Sequence, residues 1–144
     1  MKSTFDNIMI NYMQIFISSD RFIMNFFISI ILLMVPISIV HEGIHGAAYK
    51  LFGGKVRFGF KFIYAYTQEI SEKPLLRVKF LMVLLAPLTA MSVLSLFLPS
   101  WLGEMVFLLN LLGASGDIYM ALFLCKFNYQ SKIIDRNYGF DVVE

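Results

Sequence analysis

Two histidines occur in the 144-residue chain, four positions apart with an acid between them: His41-Glu42-Gly43-Ile44-His45. On a helix, residues i and i+4 share a face, so one metal ion can take a nitrogen from each. Glu42 sits beside them, placed to accept a proton from a water on that metal. The chemistry these residues suit is hydrolysis by a metal-activated water, with Zn2+ as the cofactor.

His-Glu-x-x-His is the pattern of zinc peptidases. A catalytic zinc usually takes three protein ligands and keeps a fourth position for water. The best third candidate is Asp117, an acid inside an apolar segment, where such residues are expensive and usually functional. Asp117 lies nine residues before Lys126, as His41 lies nine and His45 five before Lys50. At about 1.5 Å per residue, the three side chains fall within roughly one helical turn in depth. Gly43, Gly46, Ala47 and Ala48 flank one half of this site, and Gly113-Ala114-Ser115-Gly116 precede the other. Small residues let membrane helices approach closely. Glycines before Asp117 also loosen the helix and aim the carboxylate. Glu104 is a weaker ligand candidate, near the opposite face. Glu69 and Glu72 read as solvated loop charges. Asn110 has two readings, a donor to a tetrahedral oxyanion or to the substrate, and an inter-helix hydrogen bond.

The elements that must carry these residues are membrane helices. The chain is 58% hydrophobic, with a mean hydropathy of +0.72; soluble domains hold about 45–50% apolar residues. The expected fold is an α-helical integral membrane protein with a three-span core over residues 22–126. The first span runs from Phe22 to Val40, uncharged; its nineteen residues cover about 28 Å of a roughly 30 Å hydrocarbon layer. Its helix continues through His45 to about Lys50, with Gly53-Gly54 as the stop. Pro36 predicts a kink. The second span is predicted from Phe80 to Leu98 and the third from Trp101 to Cys125. Residues 1–21 read as an N-terminal interfacial helix, with a fourth span the alternative. Residues 55–67, rich in aromatic and β-branched types, predict a short cytoplasmic β-hairpin or strand region. Residues 127–144 form a cytoplasmic tail.

Charge sets the expected orientation. Seven basic residues lie between Lys50 and Lys79, the tail carries Lys126, Lys132 and Arg136, and the turn near Pro99 carries none. Positive-inside bias places the strand region and the C-terminus in the cytoplasm, and the N-terminus outside or at the interface. The expected location is a bacterial cell membrane, with the lipid bilayer as a partner. The net charge of +2 and the lack of a basic, aromatic-rich cluster argue against nucleic acid. The single Cys125 excludes a multi-cysteine zinc site. Asp6 stands where a secretory signal would be basic.

His41-Glu42-Gly43-Ile44-His45-Gly46, then Leu85-Ala86-Pro87, then Asn110 through Gly116-Asp117-Ile118 resemble the DUF3267-type zincin peptidases. Those look like small relatives of the site-2 proteases, a family of intramembrane zinc metalloproteases. Residues Asp135 to Phe140 add a weaker likeness, and the whole covers roughly residues 30 to 142. The resemblance implies that His41, His45 and Asp117 are ligands and that Glu42 is the catalytic acid and base. The pattern departs from the usual site-2 protease one. Asp117 follows Gly116 and precedes Ile118, and no proline follows Asn110.

The function expected is that of an intramembrane zinc metalloendopeptidase acting on a membrane protein or peptide. The strand region pairs with an extended substrate by β-augmentation, or merely covers the site. Two alternatives remain: a zinc-binding membrane interaction protein without catalysis, and a large-chamber membrane zinc peptidase with a glutamate ligand.

Overall fold

A computed structural model of the chain describes residues 7, 22–62, 64–136 and 139–143. The helix expected over 1–21 lies outside these residues, Asn7 apart. Helix α1 runs Phe22–Leu51 and continues through Pro36. Its 30 residues are roughly 45 Å long, well over the apolar thickness of a bilayer. Gly53 ends it in the left-handed conformation, with φ of +79°. The Gly54 N–H then closes on Tyr49 O at 2.9 Å, a carbonyl that also accepts from Phe52 N–H at 3.1 Å.

Helix α2 spans Arg77–Ser95. It stops three residues short of the expected Leu98. The N–H groups of Leu96, Phe97 and Leu98 each reach back only three residues, a tightened turn ahead of Pro99. The third predicted span is two helices, α3 at Ser100–Gly113 and α4 at Ser115–Leu124, bent by 50°. The junction residue Ala114 has φ −76° and ψ 0°. Helix propensity falls at Gly113, Ser115 and Gly116, so a single continuous span from Trp101 to Cys125 is not what forms. Helices α1 and α2 are long and apolar enough to cross a membrane, and there are three such spans if α3 and α4 count as one broken span. Large apolar side chains face outward along them, with Leu32 68%, Leu112 70% and Leu122 65% exposed, as in a chain whose solvent is lipid.

Strands β1 (Val56–Lys61) and β2 (Tyr64–Glu69) form an antiparallel hairpin in which Val56 faces Glu69 and Lys61 faces Tyr64. A second sheet joins β3 (Leu75–Leu76), β4 (Lys132–Arg136) and β5 (Gly139–Val143) in that order. Thus the stretch read as a tail carries two strands. Ile133 of β4 is fully buried, and the Phe140 ring of β5 packs against Phe80 and Phe123. The core of Tyr49, Leu75, Phe80, Val83, Leu84, Ala121, Leu124 and Ile133 lies where the helices meet this sheet.

Glu69 is no solvated loop charge. It is 6% exposed and accepts from the N–H groups of Lys55 and Ser71 at 3.0 Å and of Glu72 at 2.8 Å, and from the Ser71 hydroxyl. A buried carboxylate needs such donors, and the turn after β2 wraps around it to supply them. Glu72 remains exposed and pairs with Arg136 at 2.8 Å.

Candidate metal centre

Helix α1 carries two neighbouring stripes at i, i+4 spacing. One is His41, His45 and Tyr49. The other is Ser38, Glu42 and Gly46. The first faces α2, α3, α4 and β4; the second faces the hairpin.

Along the first stripe, both imidazoles turn Nε2 toward one oxygen. Asp117 Oδ2 lies 3.1 Å from His41 Nε2 and 3.3 Å from His45 Nε2. Asp117 sits in the first turn of α4, where the helix dipole favours a carboxylate. The break at Ala114 therefore both redirects the chain and seats the acid at a helix N-terminus. Both histidines are 7% exposed.

The other ring nitrogens are committed. His45 Nδ1 stands 3.0 Å from the backbone oxygen of Val83. A carbonyl only accepts, so Nδ1 carries the proton. His41 Nδ1 stands 2.9 Å from Asn110 Oδ1 and donates likewise. In the neutral rings Nε2 is then a lone pair, and both lone pairs face the oxygen of an acid. Three acceptors converging in a buried place repel one another unless a metal ion or a proton lies between them. Nδ1–H bound to a carbonyl with Nε2 free is the arrangement that metal-ligating histidines favour.

The spacing fits zinc. Tetrahedral ligands at about 2.0–2.1 Å stand roughly 3.3–3.4 Å from one another, close to the two distances to Asp117. His41, Glu42 and His45 also offer ligand atoms within 4.8 Å of one another. Glu42 is nevertheless the poorer third partner. Its Oε2 already accepts the Thr67 N–H at 2.7 Å, and Asp117 is nearer to both rings. The donor set thus accommodates zinc on His41, His45 and Asp117, with Glu42 beside it.

The second stripe binds the hairpin. The Thr67 hydroxyl donates to Glu42 O at 2.7 Å, and the Ala65 N–H donates to Ser38 Oγ at 3.2 Å. Gly46 lies under the Phe58 ring, and a Cβ there would run into it. The hairpin therefore lies along α1 and covers the site from one side.

Sequence expectations meet the geometry unevenly. His41, His45, Glu42 and Asp117 come together. Asn110, 1% exposed, makes an inter-helix bond to His41. Glu104 is far off, in a groove with Ser92, Ser95 and Ser100 at the other end of α2 and α3. The reading of the chain missed Thr67, Ser38 and the Val83 carbonyl. It also missed Tyr49, whose hydroxyl donates to Asp135 Oδ2 at 2.8 Å, one turn beyond His45. The continued spacing 41, 45, 49 and 38, 42, 46 was the available signal.

A family model described as putative zincin peptidase, DUF3267, matches residues 31–132. That stretch includes His41, Glu42, His45 and Asp117, and the chain belongs to this family. No curated protein and no solved structure matches it.

Proposed function

We propose that the protein is an intramembrane zinc metalloendopeptidase that cleaves membrane proteins or peptides. The observation that carries this is the convergence of His41 Nε2 and His45 Nε2 on Asp117 Oδ2, with Glu42 held next to them and all of them on apolar helices. A zinc ion held there would supply a Lewis acid, lowering the pKa of a water toward about 7 and polarising a carbonyl.

The chain's own residues do the rest. Asn110 and Val83 hold the two rings with Nε2 inward. The Thr67 N–H anchors Glu42 Oε2, which leaves Oε1 to take a proton from the attacking water and give it to the leaving amine. Glu42 is a catalytic residue in this reading, not a ligand; a purely structural site has no need of it.

A helical substrate hides its peptide bonds, so the segment to be cut becomes extended. It lies beside α1 and the α3–α4 break rather than adding to β2. The inward N–H groups of Ala65 and Thr67 in β2 are already given to Ser38 and Glu42, so that strand edge has none to offer there.

The test uses the full chain in lipid with single-span apolar substrates, read by mass spectrometry. Wild type should produce fragments, and Glu42→Gln should lower the rate by about 10² to 10⁴. Equal cleavage by both, or none by wild type, removes the peptidase reading.

A further inference from the structure

Gly113 and Gly116 weaken the helix at the α3–α4 break, but neither has a left-handed φ, and a Cβ built on either meets nothing within 4 Å. Neither strain nor close packing holds these two positions to glycine. Both residues border a cavity of about 290 Å³ that also touches His41, Glu42 and Asp117. Its other wall is apolar, made by Met34, Ile37, Leu109 and Met120.

A second observation lies in the same cavity. Asn110 borders it, and its Nδ2 is a buried donor without a partner. If His41 Nε2 is to offer a lone pair to a metal, Nδ1 carries the proton; Asn110 Oδ1 then accepts it and Nδ2 points away from His41. Buried donors are normally paired, and Asn110, which borders the cavity, carries one that no protein group among the described residues satisfies.

At about 290 Å³ the cavity has room for one large side chain with a short piece of extended backbone.

We infer that this cavity is a substrate side-chain subsite beside the scissile bond. It takes a large aliphatic or aromatic residue in the room left open by Gly113 and Gly116, while Asn110 Nδ2 donates to a backbone carbonyl of the same substrate. The inference rests on the peptidase reading and adds the substrate's side-chain class. Gly113 is the specificity-determining position to test, because Gly116 adjoins Asp117.

The experiment measures binding, so that it stands apart from turnover. Full-length Glu42→Gln in lipid bilayers is titrated with a labelled apolar peptide of about 20 residues, carrying a central Gly-X-Gly with X as Ala, Leu or Phe. Leu and Phe peptides should bind at least about tenfold tighter than the Ala peptide, as filling an apolar pocket does. Adding Gly113→Leu should bring the three to within about twofold of one another, by filling the pocket from the protein side. Gly113→Ala should lie between, and decides the matter if the leucine variant fails to fold. No binding, no dependence on X, or a dependence that Gly113→Leu and Gly113→Ala leave intact overturns the subsite. Wild type that cuts nothing while the X preference holds removes the peptidase reading and leaves the subsite standing.

Discussion

The backbone N–H of Thr67 donates to Glu42 Oε2 at 2.7 Å, tying the middle of β2 to the acid of the motif. The bond is charge-assisted and sits beside two buried rings, so it fixes one oxygen of the carboxylate and leaves the other free to turn toward the metal side. Hydrogen bonds to charged groups contribute about 1.5–3 kcal/mol.

That relationship makes Thr67→Pro informative. Thr67 faces Phe58 in the hairpin register, but its N–H points at α1, so proline removes the N–H and hydroxyl bonds to Glu42 and no ladder bond; Thr67→Val, which loses only the hydroxyl, is the control. Zinc content should stay at wild type while cleavage falls about tenfold or more, the kinetic equivalent of the lower end of that energy. Unchanged cleavage would show that the hairpin does not position Glu42.

Asn110→Leu tests the hold on His41. It removes the acceptor of the 2.9 Å bond and keeps the branch at Cγ. Loss of such an outer partner typically weakens metal affinity about 10- to 100-fold. Competition with a zinc chelator measures it. Asn110→Asp, which keeps an acceptor, should recover most of the affinity. Equal affinity in the leucine variant would leave Asn110 as mere packing.

Gly46→Leu tests the seat of the hairpin. A side chain there collides with the Phe58 ring, and overpacking costs typically 1–3 kcal/mol. Limited proteolysis should cut first between Lys55 and Lys61 in this variant and not in wild type. Equal resistance would mean that the hairpin does not need α1 for its order.

A pH effect follows from Asp135. Burial, reinforced by the nearby Glu69 and opposed by the Tyr49 hydrogen bond, raises its carboxyl above the ordinary aspartate range. In the window from that range, about 4, up through the raised value, the folded chain holds a proton that the unfolded chain has lost. Stability therefore falls as pH rises through this window and levels off above it. Thermal melts of Asp135→Asn should show less decline over the same window than wild type. Parallel pH curves for the two would mean that Asp135 titrates normally.

Much of the site was readable because it is local or nearly so. His41, Glu42 and His45 lie within five residues, and helical spacing alone sets their mutual geometry. Asp117 was readable from its distance to a basic end, because two apolar helices that end on basic residues at the same level share a common frame. The direction in which Asp117 points was not. It depends on the break at Ala114, which small residues permit but do not dictate. The partners of the Nδ1 atoms were not readable either, since Val83 and Asn110 approach from helices 38 and 69 residues away in sequence. The same holds for β4 and β5. Ile133 and Phe140 are apolar in a charged stretch, and only their places in the core explain them, Ile133 opposite Leu75 and Phe140 against Phe80 and Phe123. Glu69 looked like any loop acid until the turn after it closed around the carboxylate.

Bound zinc per chain, measured on wild type, Asp117→Ala and Glu42→Gln, is the most direct test of the three-ligand centre. Wild type and Glu42→Gln should each hold about one zinc and Asp117→Ala should lose most of it, since three protein ligands with one open position define a catalytic site. Full zinc in Asp117→Ala together with its loss in Glu42→Gln would make Glu42 the ligand and contradict the site described here.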